Sequence, residues 1–163
     1  TYRLGAEMLV LGGVAAGLAE ARALMETAVA SGAAFEKFCE VVAAQDGDIS
    51  VLEDPSLLPT AEQHHVVVAP RSGVVMTADA LDIGVGAMRL GAGRETKDDQ
   101  IDPAVGSTVH VNVGDSVTEG DTLAVLHYNS TEGLADAIEL TAKAFTIDDG
   151  PAEVPPLVYE EIR

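Results

Sequence analysis

Apolar positions recur at helical spacing through roughly the first 45 residues. In LGAEMLVLGGVAAG, Leu4, Met8, Leu11 and Ala15 fall on one face of a helix. Gly12 and Gly13 mark either close approach by another backbone or an early end, and Gly17 suits the residue just past a helix. LAEARALMETAVASG repeats the pattern with Leu18, Ala21, Leu24, Met25, Ala28 and Val29, and stops at Ser31-Gly32. AAFEKFCEVVAAQDG follows and stops at Asp46-Gly47. Its stripe of Phe35, Phe38, Cys39 and Val42 reads as a core face.

After a connector at 46–62, punctuated by Pro55 and Pro59, the period changes. HHVVVAP and SGVVMTA read as short strands with a turn over 70–73. ADALDIGVGAMRLG returns to helical spacing, with Ile83, Ala87 and Leu90 on one face and Asp79 or Asp82 as its cap. GAGRETKDDQIDPAVG is a long polar loop, of the kind that carries function in compact domains. STVHVNVG and TLAVLHY read as strands joined through two glycine-acid turns. TEGLADAIELTAKAFTI predicts a last helix capped by Thr131, with Leu134, Ile138, Thr141 and Phe145 inward. The tail, with Pro151, Pro155 and Pro156, runs extended.

The expected fold is α+β. A helical segment over 1–45 and the linker 46–62 precede a small antiparallel-strand domain with two helices over 63–163. GDSVTEGDTLAVLH, residues 114–127, resembles the turn and strand of lipoyl and biotinyl carriers, which suggests a barrel-sandwich or hammerhead-like arrangement. A carrier needs a lysine on the hairpin tip, and this strand ends His127, Tyr128, Asn129. A non-enzymatic binding module of that shape, lacking the carrier lysine, is the alternative of another class.

The 163 residues carry 27 acids against 9 bases, a net charge of −18. Such a surface repels phosphate backbones and anionic membranes, so neither nucleic acid nor membrane is expected as a partner. One cysteine, Cys39, makes no internal disulfide and fits a reducing cytoplasm. The chain opens at Thr1 already in helical pattern, which suggests a piece of a longer protein.

Chemistry is harder to find. His64, His65, His110 and His127 have no metal-ligand spacing. LGAGRETKDD lacks both the P-loop pattern and the third glycine of a dinucleotide fingerprint, and no G-x-S-x-G elbow exists. No catalytic, cofactor or metal residue is assigned. Asp102, between Ile101 and Pro103, reads as a turn residue accepting backbone N–H groups, with a catalytic role as the alternative. Arg94 and Lys97 are scarce cations in one glycine-rich loop with Gly91 and Gly93. They suit a phosphate or an acidic partner surface, or are simply solvated.

Taken in order, LGAEMLVLGG, EARALME, SGAAFEKFCEVVAAQDGD and, most specifically, SGVVMTADALDIGVGAMRLGAGRETKDDQIDPAVG resemble the downstream part of the pyrimidine-nucleoside and thymidine phosphorylases. VGDSVTEGDTLAVLH and PPLVYEEI fit as well. LGAGR and PPLVYEEI look closer to the broad-specificity pyrimidine-nucleoside enzymes than to strict thymidine phosphorylases. The resemblance implies a pentosyltransferase: phosphate attacks the anomeric carbon of a pyrimidine nucleoside, releasing free base and (deoxy)ribose 1-phosphate. It also implies a cytoplasmic homodimer without a cofactor, whose cleft closes by domain motion. The family's phosphate- and base-binding motifs do not occur in this chain, so no catalytic residue is carried over and the chain alone is expected to be inactive. The equivalent of residues 91–100 lies near the cleft mouth, which makes Gly91, Gly93, Arg94 and Lys97 the candidate site residues.

Overall fold

A computed structural model describes residues 1–94 and 96–162; Glu95, inside the candidate loop, and Arg163 lie outside the described residues. The chain divides into two units, Thr1–Leu58 and Pro59–Arg163.

The first unit is helical: α1 Tyr2–Leu11, α2 Leu18–Ala30, α3 Ala33–Ala44 and a single turn, α4, Ser50–Glu53. α4 and a 3-10 turn at Pro55–Leu57 lie inside the segment read as a linker, where Asp54 accepts from Ser56 N–H. Gly12-Gly13 end α1 early, and Gly17 begins α2 instead of closing the helix before it. Only Ala6, Ala15 and Ala21 form its buried cluster. The larger apolar residues expected inward stay in solvent: Leu4, Met8 and Leu11 are 72%, 71% and 85% exposed, and Phe35 and Phe38 about half. No residue of α3 is buried, so the core role expected of the Cys39 stripe is not seen. Periodicity fixes which residues share a face; it does not supply a second surface to cover that face.

Among its described residues the second unit has six short strands. β1 Gln63–Val68, β5 Thr122–Tyr128 and β3 Gly106–Val109 form one antiparallel sheet, in the order β1-β5-β3. β4 Ser116–Val117, β2 Gly73–Ala78 and β6 Phe145–Asp148 form the other, in the order β4-β2-β6. The α+β architecture is therefore as the sequence implied, with two three-stranded sheets among the described residues. The strands read in STVHVNVG and TLAVLHY do pair, as β3 with β5, whereas those flanking the turn over 70–73 do not pair with each other. β1 and β2 go to different sheets, and so do β4 and β5. The two crossings run side by side: Ala69 N–H donates to Asp121 O at 2.8 Å, and Gly120 N–H to Ala69 O at 2.9 Å. The acids of the glycine-acid turns close them, Asp115 accepting from Asn112 N–H and Asp121 from Thr118 N–H, each at 2.7 Å.

α5 Ala80–Ala87 is capped by Asp79, which accepts from Leu81 and Asp82 N–H. α6 is Leu134–Ala144, shorter than expected at both ends. Gly133, not Thr131, is its N-cap, and Phe145 opens β6 because the edge of β2 offers Phe145–Asp148 ladder partners. The core joins both sheets to both helices through Val67, Val75, Leu90, Val117, Leu123, Leu126, Ala137 and Ile147. No helix among the described residues is long and apolar enough to cross a membrane.

Candidate functional site: the glycine loop after α5

α5 does not end at a cap. It widens into a π turn, Met88–Ala92, and Gly91 breaks it at φ 102° and ψ 5°. That conformation excludes side-chain-bearing residues more by backbone strain than by crowding, since a Cβ there would meet Val105 and Asp102 at ordinary contact distance. Gly93 is extended. The chain then folds into a small turn in which the Asp99 carboxylate accepts from Thr96 N–H at 2.8 Å and Thr96 Oγ1 at 2.5 Å. Asp102 N–H returns to Gly91 O at 3.0 Å and closes the base of the loop.

Two further contacts hold that base. Gly133, at φ 71°, lies so close to the Arg89 carbonyl that a Cβ would collide with it, which packs the π turn against the start of α6. Asp102, half-buried, accepts from Ala104 N–H at 2.9 Å through one oxygen and from Asn129 Nδ2 at 2.7 Å through the other. Those bonds, first the one from Ala104, hold its carboxyl below the ordinary carboxylate value. The turn role expected of Asp102 is thus present, and it reaches further than the turn.

Gly91 and Gly93 line a cavity of about 480 Å3 with Arg89, Asp99, Glu132 and Asp136 among the other walls. Arg94 and Lys97 are exposed and are not among its lining residues. The four candidate residues therefore share one loop, but the cations sit apart from the cavity the glycines help shape. Three carboxylates against one guanidinium make that cavity a poor anion site.

The histidines show what spacing misses. His64 lies directly opposite His127 across β1 and β5, and His127 Nε2 is 3.0 Å from Thr108 Oγ1. Antiparallel register alone makes this pair, and a sequence interval of this length carries no signal for it. Among the described residues no three His, Cys, Asp or Glu side chains gather so as to hold a metal ion. A wider opening of about 690 Å3 is lined by His110, Asp115 and Asp121, but both acids are already engaged in closing turns.

Residues 74–148, from β2 to β6 and including the loop, match the family described as "Pyrimidine nucleoside phosphorylase C-terminal domain". The pyrimidine-nucleoside phosphorylase of Staphylococcus haemolyticus (strain JCSC1435) is 42% identical over 159 residues, covering 98% of this chain and 36% of that protein. The enzyme of the same name from Staphylococcus aureus (strain USA300) is 42% identical over 146 residues, 90% of this chain and 34% of that protein. The chain thus spans about a third of the length of the curated relatives it matches.

Proposed function

Since this chain belongs to the pyrimidine-nucleoside phosphorylase family, we propose that it serves as the C-terminal domain of an enzyme that cleaves pyrimidine nucleosides with phosphate. In that reaction a phosphate oxygen bonds to the anomeric carbon as the C–N bond to the base breaks. The base leaves with the bonding electrons and takes up a proton, giving free base and a pentose 1-phosphate. The observation that carries the reading is the 42% identity running through 98% of the chain.

Such a transition state carries negative charge on phosphate and on the departing base, so it needs cations and N–H donors held in place. Gly91, Gly93, Arg94 and Lys97 stand at the mouth of the cleft, and Arg94 assists its closure. The support is an exposed arginine on a loop with a firmly built base, in a chain with only 9 basic residues. Phosphate and base are gripped by residues outside this chain, so the chain by itself is inactive. The working enzyme is a cytoplasmic homodimer that needs no cofactor.

The test is release of uracil from uridine by inorganic phosphate, followed by chromatography, in the enzyme carrying this chain. No phosphate-dependent release from any pyrimidine nucleoside rejects the reading. Arg94→Ala is expected to lower kcat/KM about tenfold. Unchanged kcat and KM remove Arg94 from the mechanism.

A further inference from the structure

Asp102 and Asn129 join three stretches of chain that lie far apart in sequence. Asn129 follows β5 and spends both ends of its amide: Nδ2 donates to Asp102 Oδ2 at 2.7 Å, and Oδ1 accepts from Glu62 N–H, just before β1, at 2.8 Å. Asp102 spends its other oxygen on Ala104 N–H and its own N–H on Gly91 O. The candidate loop therefore leaves and re-enters the domain at a junction tied to one end of the β1–β5 pair, where the register sets Gln63 opposite Tyr128.

We propose that Asp102 and Asn129 are positioning residues, a polar latch that holds the base of the loop so that Arg94 and Lys97 are presented in one arrangement. The role rests on the phosphorylase reading above; the latch itself is a matter of donors and acceptors. Asp102 accepts on both oxygens, which only a carboxylate does. Asparagine in its place sets an NH2 group against either the Ala104 N–H or the Asn129 amide. If Asn129 turned its amide over to accommodate this, its NH2 would face the Glu62 N–H instead. Every arrangement of Asp102→Asn thus leaves one donor facing a donor. Asn129→Asp sets two carboxylates against each other.

Exchanging the two residues repairs the defect. In the double variant D102N/N129D, the asparagine at 102 accepts from Ala104 N–H and donates to the aspartate at 129. That aspartate still accepts from Glu62 N–H. Net charge and side-chain size are unchanged, so the exchange restores the bonds without restoring the residues.

The experiment measures amide exchange over Thr96–Ile101, and phosphorolysis of uridine by inorganic phosphate, in the enzyme carrying this chain. Each single variant is expected to exchange about tenfold faster across that segment. Each also loses about five- to tenfold in kcat/KM. The double variant returns both readouts to within about twofold of the wild type. Unchanged exchange in D102N, or a double variant as loose as the singles, overturns the latch whatever the activity. Loosened exchange with unaltered phosphorolysis overturns the positioning role. A wild type without phosphorolysis, whose double variant still restores exchange, rejects the phosphorylase reading and supports the latch.

Discussion

In Pro59–Arg163 the apolar stripes meet one another. Val67 of β1, Leu123 and Leu126 of β5, Val75 of β2, Ile147 of β6 and Ala137 of α6 share one buried cluster. In Thr1–Leu58 they do not: three alanines are buried, while Leu4, Met8, Leu11, Phe35 and Phe38 stand in solvent. The helices of the first unit are as regular as the strands of the second, and their pattern is as clear in sequence. What differs is the number of walls. Two sheets crossed by α5 and α6 enclose a volume, whereas the helices of the first unit leave most of their apolar surface uncovered. Secondary structure can be well formed in both, but burial, which contributes most of the stability, is concentrated in one.

The largest expected effect lies in the closed core. Leu126→Ala empties a fully buried site between the sheets and should cost about 2–5 kcal/mol, read as a fall in the urea midpoint of the second unit. A loss under 1 kcal/mol would erase the contrast between the units. Gly133→Ala comes next. It adds a Cβ against the Arg89 carbonyl at a positive φ, and should cost about 1–3 kcal/mol while shifting the π turn, seen in the amide shifts of Met88–Ala92.

Acid separates the units in kind. Asp48 and Asp54 have depressed pKa values because Ser50 and Ser56, two residues on, hydrogen-bond to them. Asp102 is depressed by Ala104 N–H and then by Asn129, 27 residues away. A carboxyl whose folded pKa is lowered contributes stability above its unfolded value and loses it as pH falls through the folded one. Below about pH 4 the local turns of the first unit should fray, while the second unit loses a long-range tie. Amide exchange at Glu62 should therefore rise more steeply with acid than exchange at Ser50, whose N–H donates to Asp48. Equal rises would show that the long-range tie matters no more than a turn. The smallest effect is Leu11→Ala, expected within about 0.5 kcal/mol because that side chain is already in solvent. A large loss there would mean that the first unit is covered after all.

Much of this was legible in the chain. The segments of β1, β2, β3 and β5 were readable by period and composition, as was the helix at α5 with Asp79 among its possible caps. The turn role of Asp102 followed from its place before a proline. The glycine loop was singled out by its length and its scarce cations. Other features had no local signal. Phe145–Asp148 extends a helical pattern in sequence but becomes β6, because the β2 edge is there to pair with it. Thr131 is a sound cap by composition, but the chain passes it and starts α6 at Gly133, where close packing against Arg89 admits no side chain.

By itself the sequence determined where elements start and turn, which faces are apolar, and which family the chain joins. Those depend on interactions within a few residues, on side-chain type and on residue order. Only the tertiary structure decided that β1 and β2, and β4 and β5, part company into two sheets, that His64 faces His127, and that Asp102, Asn129 and Glu62 share one network. Those are choices of register and crossing between segments tens of residues apart. Their energy comes from burying both sheets together, which no single stretch of chain can express.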